Sequence, residues 1–193
     1  AGRRPVFAAG GLVQFDGTDD ILEGAGNILT IAKAANAVTF AGRVKFGPLA
    51  ATQQIFVLSS NVGAGNRFSF RVLSTGALQL RLRRLDADSY ISYTTADGVV
   101  VANTAYSIIA SVDYVGNTAS IYLNGGSDIL AATLTLASSP GPTSNTASVR
   151  ARLGASSDTV PDDFFPGSIG MFALTNSIPT AAQRAAIFAE LAL

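Results

Sequence analysis

Leu12-Val13-Gln14-Phe15-Asp16-Gly17-Thr18-Asp19-Asp20-Ile21-Leu22 is an apolar strand broken at Asp-Gly and resumed after Asp-Asp. Far down the chain, Phe165-Pro166-Gly167-Ser168-Ile169-Gly170-Met171-Phe172-Ala173-Leu174 is a Phe-x-Gly-x-Ile strand that leads toward a closing helix. Between these two stretches the dominant signal is alternation with period two. Val38, Phe40, Val44 and Phe46 share one face, with Thr39, Arg43 and Lys45 on the other. Phe68, Phe70 and Val72 alternate with Arg67, Ser69 and Arg71. After a Ser74-Thr75-Gly76 turn, Leu78, Leu80 and Leu82 alternate with Gln79, Arg81 and Arg83. One apolar and one polar face per strand is what a two-layer antiparallel sandwich requires.

Tyr106 to Val115 and Thr118 to Leu123 form two further strands joined at Gly116-Asn117, and Asn124-Gly125 supplies a second tight turn. The stretch 137–146, Ala-Ser-Ser-Pro-Gly-Pro-Thr-Ser-Asn-Thr, is a loop by composition. Val149, Ala151 and Leu153 then alternate with Arg150 and Arg152. Gly63-Ala64-Gly65-Asn66 lies between strands and precedes no helix, so it does not read as a phosphate loop. Thr180 and Gln183, following Pro179, make a capping-box pair that opens a helix over about 180–192. On a helical wheel Gln183, Arg184 and Glu190 occupy about a third of the circumference, and Ala182, Ala185, Ala186, Ile187, Phe188, Ala189 and Leu191 cover most of the rest. That distribution predicts a helix packed along most of its surface, by the sandwich, a neighbouring subunit or both. The expectation is an all-β fold, a two-sheet antiparallel β-sandwich (jelly roll) with one C-terminal α-helix, forming a single domain over 1–193.

Composition narrows the chemistry. The chain has 193 residues, no Cys, no His and no Trp, and thirteen basic residues balance thirteen acidic ones. Without imidazole or thiol there is no nucleophilic triad of the usual kind and no conventional zinc site. Balanced charge argues against nucleic acid as a partner. No apolar run approaches the ~20 residues that cross a bilayer, which argues against a membrane span. Glu23 and Glu190, the two glutamates, stand near opposite ends of the chain. A glycosidase needs two carboxyl groups flanking the scissile bond, so only the Asp set could supply them.

The Phe15-Asp16-Gly17 and Phe165-Pro166-Gly167 strands, with the hairpin from Tyr106 to Gly125, resemble the concanavalin A-like lectin/glucanase superfamily, in particular its laminin-G-like jelly-roll branch. The resemblance covers nearly the whole chain. The hairpin ends in Asn124-Gly125 where the family usually has Asp-Gly. Glucanases of the superfamily carry Glu-x-Asp-x-Glu on one strand, a pattern that this sequence lacks, so the resemblance implies no enzyme and no catalytic residues. Arg4-Pro5 followed closely by Phe15-Asp16-Gly17-Thr18-Asp19-Asp20 looks most like versions in bacteriophage particles. It implies a non-catalytic virion surface protein (decoration, head spike or tail-associated) with a lectin-like sandwich that could contact host glycans. The alternative is a secreted carbohydrate-binding or adhesion module, so the expected location is the virion surface or the extracellular space. Expected partners are further copies of the chain, other virion subunits and an anionic glycan.

Two clusters are candidate sites. Arg67, Arg71, Arg81 and Arg83 alternate outward on two adjoining strands, with Tyr90 nearby and Arg43 and Lys45 as further candidates. A basic stripe of this kind suits an anionic glycan or a neighbour's carboxylates; alternatively it is a solvated face partnered by acids such as Asp86 and Asp88. Tyr90, Tyr93, Tyr106, Tyr114 and Tyr122 are the rings available for sugar stacking or for ordinary sheet packing. The second cluster is acidic. If first and last strands pair, Asp16, Asp19 and Asp20 could meet Asp158, Asp162 and Asp163, giving Ca²⁺ hard oxygen ligands from two loops. Members of the resembled superfamily bind calcium beside their sugar site. Alternatively these residues make turns and bond their own backbone.

Overall fold

Asp16-Gly17 is where the chain changes sheets. In a computed structural model that describes residues 4–8, 11–60 and 66–192, strand β2 (Leu12–Asp16) pairs with the last strand, β13 (Pro166–Thr175). Six residues later β3 (Leu22–Glu23) pairs in the opposite layer with β12 (Arg150–Leu153). The crossing is held by its own side chains: Asp16 Oδ1 accepts from the amides of Thr18 (2.7 Å) and Asp19 (3.3 Å), and Asp20 Oδ2 accepts from the Asp16 amide (2.8 Å). Gly17 has φ +77°, and a Cβ there would lie 2.6 Å from the Pro166 Cβ, so both backbone conformation and space demand glycine. Residues Gly63–Gly65 lie outside the described residues.

The remaining strands are β1 (Val6–Ala8), β4 (Ala37–Phe46), β5 (Gln53–Ser59), β6 (Asn66–Val72), β7 (Leu78–Leu82), β8 (Ile91–Thr94), β9 (Ala105–Asp113), β10 (Thr118–Leu123) and β11 (Asp128–Thr133). One sheet has seven strands in the order β1-β2-β13-β4-β9-β10-β11, and the other six in the order β3-β12-β5-β6-β7-β8. Every pairing is antiparallel. The expected two-sheet sandwich is therefore the observed fold. No helix among the described residues is long and apolar enough to cross a membrane.

Alternation places the expected aromatic residues between the sheets. Phe40 stacks on Phe56 (5.6 Å) and Phe172 (6.5 Å) and tilts against Phe70 (5.7 Å). Phe46 meets Tyr106 and Phe165 edge-on, and Phe165 meets Phe15 in the same way. Burying such rings is the dominant favourable term, with about 1 kcal/mol more for each well-oriented aromatic pair. A bulge in β13, where Ile169 faces Val44 but Phe172 faces Gly42, inserts one residue and lets Ile169 and Phe172 both serve the core side. Met171, between them, is turned out and 61% exposed.

The helix α1 (Ala181–Leu191) has the expected capping box: Thr180 Oγ1 accepts from the Gln183 amide, and Gln183 Oε1 accepts from the Thr180 amide. It lies on the outer face of the seven-stranded sheet, where Phe188 and Leu191 cover Ala41 and Ile109. Arg43 donates to the Leu191 and Ala192 carbonyls at its C-terminal end, complementing the helix dipole. The expectation of a helix packed on most sides is not met. Phe188 and Leu191 are buried, whereas Ala182, Ala185, Ala186 and Ala189 are exposed. Contact with the sheet is confined to the stripe of Phe188 and Leu191, with Ile187 partly buried beside it.

Candidate functional site

The outer face of the six-stranded sheet carries the polar residues that alternate with the core. On β6 and β7, Ser69 stands opposite Arg81 and Arg71 opposite Gln79, so the two arginines are diagonal neighbours. Arg71 donates through Nε and Nη2 to Gln79 Oε1, and Gln79 donates in turn to Thr94 Oγ1. On β5, Gln54 donates to the Phe56 and Phe70 carbonyls and accepts from Ser69 Oγ. These residues form a floor whose amides and hydroxyl are already satisfied, a rigid base for whatever binds above it.

The segment 154–165 folds back over this floor as a wall. Its two ends are tied by Gly154 N to the Ile55 carbonyl (3.1 Å) and Phe165 N to the Gly154 carbonyl (2.9 Å). Inside it Ser156 N donates to the Asp162 carbonyl, Asp162 N to Ser156 Oγ, and Gln54 N to the Asp163 carbonyl (2.7 Å). Arg152, 6% exposed, donates to the Ser156 and Asp158 carbonyls (2.8 and 2.9 Å) while its Nε pairs with Glu23 (2.7 Å). Arg150 adds a bond to the Asp158 carbonyl, and Ser157 bonds Asn66 at the edge of β6.

Floor and wall enclose a pocket of about 200 Å³. Gln54, Arg71 and Arg81 lie below, Ser156, Ser157, Asp158 and Asp163 beside, and Asn66 and Tyr90 at the rim. The Arg81 guanidinium sits 3.6 Å from the centroid of the Tyr90 ring, and its buried Nε has no hydrogen-bond partner among the described residues. Tyr90 is 43% exposed. Arg71 Nη1 is 3.9 Å from Asp163, a loose ion pair. Burial pulls the Arg71 guanidinium below its usual range, and Arg81 beside it pulls further, with Asp163 opposing. Burial pushes the Asp163 carboxyl up, Asp162 adds to this, and the two arginines oppose it. Guanidinium donors, carboxylate acceptors, two amides and an aromatic ring around a small volume suit a hydroxyl-rich ring, since each hydroxyl both donates and accepts. The volume is below the ~300 Å³ at which sites for larger ligands begin, which favours one terminal ring.

Three of the five residues expected on the basic face therefore line the pocket: Arg71, Arg81 and Tyr90. Arg67 does not. It is the bulged residue between pairs Leu58–Phe68 and Ser59–Asn66, and it is fully buried. The bulge sends its side chain to the loops at the end of the sandwich, where it pairs with Asp86 (2.8 Å) and donates to the Ala32 and Thr146 carbonyls and to Thr146 Oγ1. Arg83 is also withdrawn, 7% exposed, and donates to Ser60 Oγ and the Asp88 carbonyl. Arg43 and Lys45 lie on β4 in the other sheet and cannot join the stripe. Of the remaining tyrosines, Tyr114 is buried, with its hydroxyl donating to the Arg67 carbonyl, and Tyr106 packs on Phe46. Tyr93 bonds Thr135, and Tyr122 lies under Arg184.

The two-loop acidic site does not form. Strands β2 and β13 do pair, but among the described residues the carboxylates that come together, within 4.8 Å of one another, are Asp16, Asp19 and Asp20. Asp16 and Asp20 each turn one oxygen onto amides of their own turn, as the turn-forming alternative expects. Asp163 lines the pocket beside Arg71 instead, and Asp162 caps the wall through its backbone. Gln54, Asn66, Ser156 and Ser157 were not singled out from the sequence; the one signal was a Gln53-Gln54 pair interrupting an apolar strand.

An antiparallel sandwich presenting a polar pocket on an outer sheet face is a lectin-like architecture. The chain belongs to the concanavalin A-like lectin/glucanases superfamily, whose laminin-G-type family model matches residues 16–183. No curated protein sequence matches it. Among solved structures it is similar to the SAP-like pentraxin of Limulus polyphemus, a native heptamer, at 19% identity over 97% of this chain and 83% of that one, with a TM-score of 0.67. The carbohydrate-binding module (CBM40) of the Ruminococcus gnavus IT-sialidase, solved with α2,3-sialyllactose, is 18% identical over 80% of this chain and 83% of that one, with a TM-score of 0.63. The NanB sialidase of Streptococcus pneumoniae is 18% identical over 92% of this chain and 27% of that one, with a TM-score of 0.66.

Proposed function

We propose that this chain is a non-catalytic glycan-recognition module that binds the terminal sugar of a glycan in the pocket between β6, β7 and the 154–165 wall. The observation that carries this reading is the convergence of Arg71, Arg81 and Tyr90 with a wall of carboxylates and hydroxyls in one sugar-sized pocket. The unpartnered Arg81 Nε favours a ligand with an acidic substituent, because a charge-assisted bond is about twice as strong as a neutral one. That the related module of R. gnavus was solved with sialyllactose makes sialylated glycans the first to try.

The phage-like run from Arg4-Pro5 to Asp20 supports display on a virion surface, as a decoration, head-spike or tail-associated subunit. A secreted adhesion module is the second reading, favoured by the similarity to a sialidase-linked carbohydrate-binding module. Mass spectrometry of purified particles separates the two. Calcium at Asp16, Asp19 and Asp20 remains a separate proposal, checked by whether millimolar Ca²⁺ raises the melting temperature of the chain and not that of Asp19→Asn.

The main test is a glycan array followed by calorimetry on the best ligand. Arg81→Ala and Tyr90→Ala are each expected to weaken binding about tenfold, ~1.4 kcal/mol. Binding unchanged in both variants would place the glycan elsewhere. Turnover of the bound glycan, lost on a single Asp→Asn change in the wall, would overturn the non-catalytic reading.

A further inference from the structure

The seven-stranded sheet carries an apolar groove on its outer face and, at its edge, an arm whose Phe7 stands on the other side, uncovered among the described residues. The groove lies between α1 and β13, with a volume of about 280 Å³, and is lined by Ala41, Met171, Ala173, Ala186, Ile187 and Leu191. An apolar cavity of ~150 Å³ suffices to take up benzene. Met171 stands 61% exposed at the groove, a flexible thioether of the kind that adapts to an incoming side chain. The arm is β1, whose Val6 and Phe7 are 64% and 77% exposed.

Phe7 cannot reach this groove within its own copy. Phe7 faces Val13, Val13 faces Ile169 and Ile169 faces Val44, so this row shares the core-facing side of the sheet. The groove is on the opposite side, over Ala41, so the sheet itself stands between them. Charge favours a meeting between two copies. Arg4 precedes Phe7 by three residues, which span ~10 Å when extended, and Glu190 lines the groove. Both are exposed, and neither has an ion-pair partner among the described residues. With Phe7 seated, Arg4 arrives at the rim where Glu190 stands.

We propose that each copy inserts Phe7 into the α1–β13 groove of the next, head to tail, with Arg4 of one copy against Glu190 of the other. The interface is heterologous: arm and groove are different surfaces, so copies add in one direction and close into a ring or continue as a filament. It also covers Ala186, one of the alanines of α1 that the sandwich leaves bare. The sugar pocket, on the other sheet, stays open.

Light scattering across a dilution series of the full chain reads the proposal. The chain is expected to assemble as concentration rises, and Phe7→Ser and Ala186→Arg are each expected to stay monomeric with unchanged melting temperatures. An equimolar mixture of these two variants is expected to give dimers and nothing larger, since one keeps only its groove and the other only its arm. Arg4→Glu and Glu190→Arg, both at exposed positions, should each weaken assembly several-fold, and the mixture of the two should recover it. A chain that is monomeric at every concentration, assembly that survives Phe7→Ser, or a mixture that yields no dimer would each overturn the proposal.

Discussion

Arg67 stands at a position where alternation points a side chain to solvent, yet a single bulged residue carries it into the interior. A guanidinium with no solvent exposure is tolerable only when its donors are filled, and Asp86, Ala32 and Thr146 fill them. Burial by itself would push the Asp86 carboxyl up. Hydrogen bonds from Thr146, Arg67 and Ser60, and the Arg67 charge, outweigh it and hold the group down at about 2. A carboxyl depressed in the folded state contributes stability that is present above its unfolded value, ~3.9, and is lost as pH falls through the folded one. The melting temperature is therefore expected to drop between about pH 4 and about pH 2, with a shallower drop in Asp86→Asn. Arg67→Met should cost about 3 kcal/mol in denaturant titration, because it leaves a half-buried carboxylate and two carbonyls without their donor. Arg83→Ala is expected to destabilise as well, whereas Arg81→Ala should alter binding with little effect on folding. The contrast follows from burial: Arg83 is tied to Ser60 and Asp88, and Arg81 rests on an exposed ring.

At the level of elements, α1 shows how a helix can be well started and poorly covered. Its capping box satisfies two amides at the N-terminus, and Thr180→Ala should cost about 1 kcal/mol by thermal or chemical melting. Packing contributes more than the cap. Phe188 and Leu191 shield Ile109 and Ala41, so Phe188→Ala is expected to cost about 3 kcal/mol, measured in the same way. If the helix were ornamental, neither change would move the transition. The 154–165 wall is the complementary case, an irregular segment held rigid by bonds to β5 and by two arginines of β12. Arg152 touches no part of the pocket surface, yet Arg152→Met should weaken glycan binding as well as stability. Calorimetry on the folded variant checks this, and a loss of stability with full affinity would make Arg152 a structural residue only.

Across the whole molecule, the two sheets have different outward faces. The six-stranded sheet offers a polar pocket, and the seven-stranded sheet offers an apolar groove beside its helix. Separate faces allow recognition and assembly to operate without competing for surface. The amino-acid sequence alone determined the sandwich, the tight turns at Asn117 and Asn124 and the capped helix. These depend on period-two patterning, on φ-permissive residues and on caps, all of which are local. It also placed Arg71 and Arg81 on one face, because alternation holds within each of their strands. Only the tertiary structure decided that Arg67 and Arg83 turn away, that Asp163 serves the pocket and not the Asp16–Asp20 turn, and that α1 is covered along one stripe. Alternation says which side of its own strand a residue occupies. What lies over that side is set by a one-residue bulge in β6, by the path of a distant loop and by where a helix meets its sheet, and these emerge only when the strands are assembled.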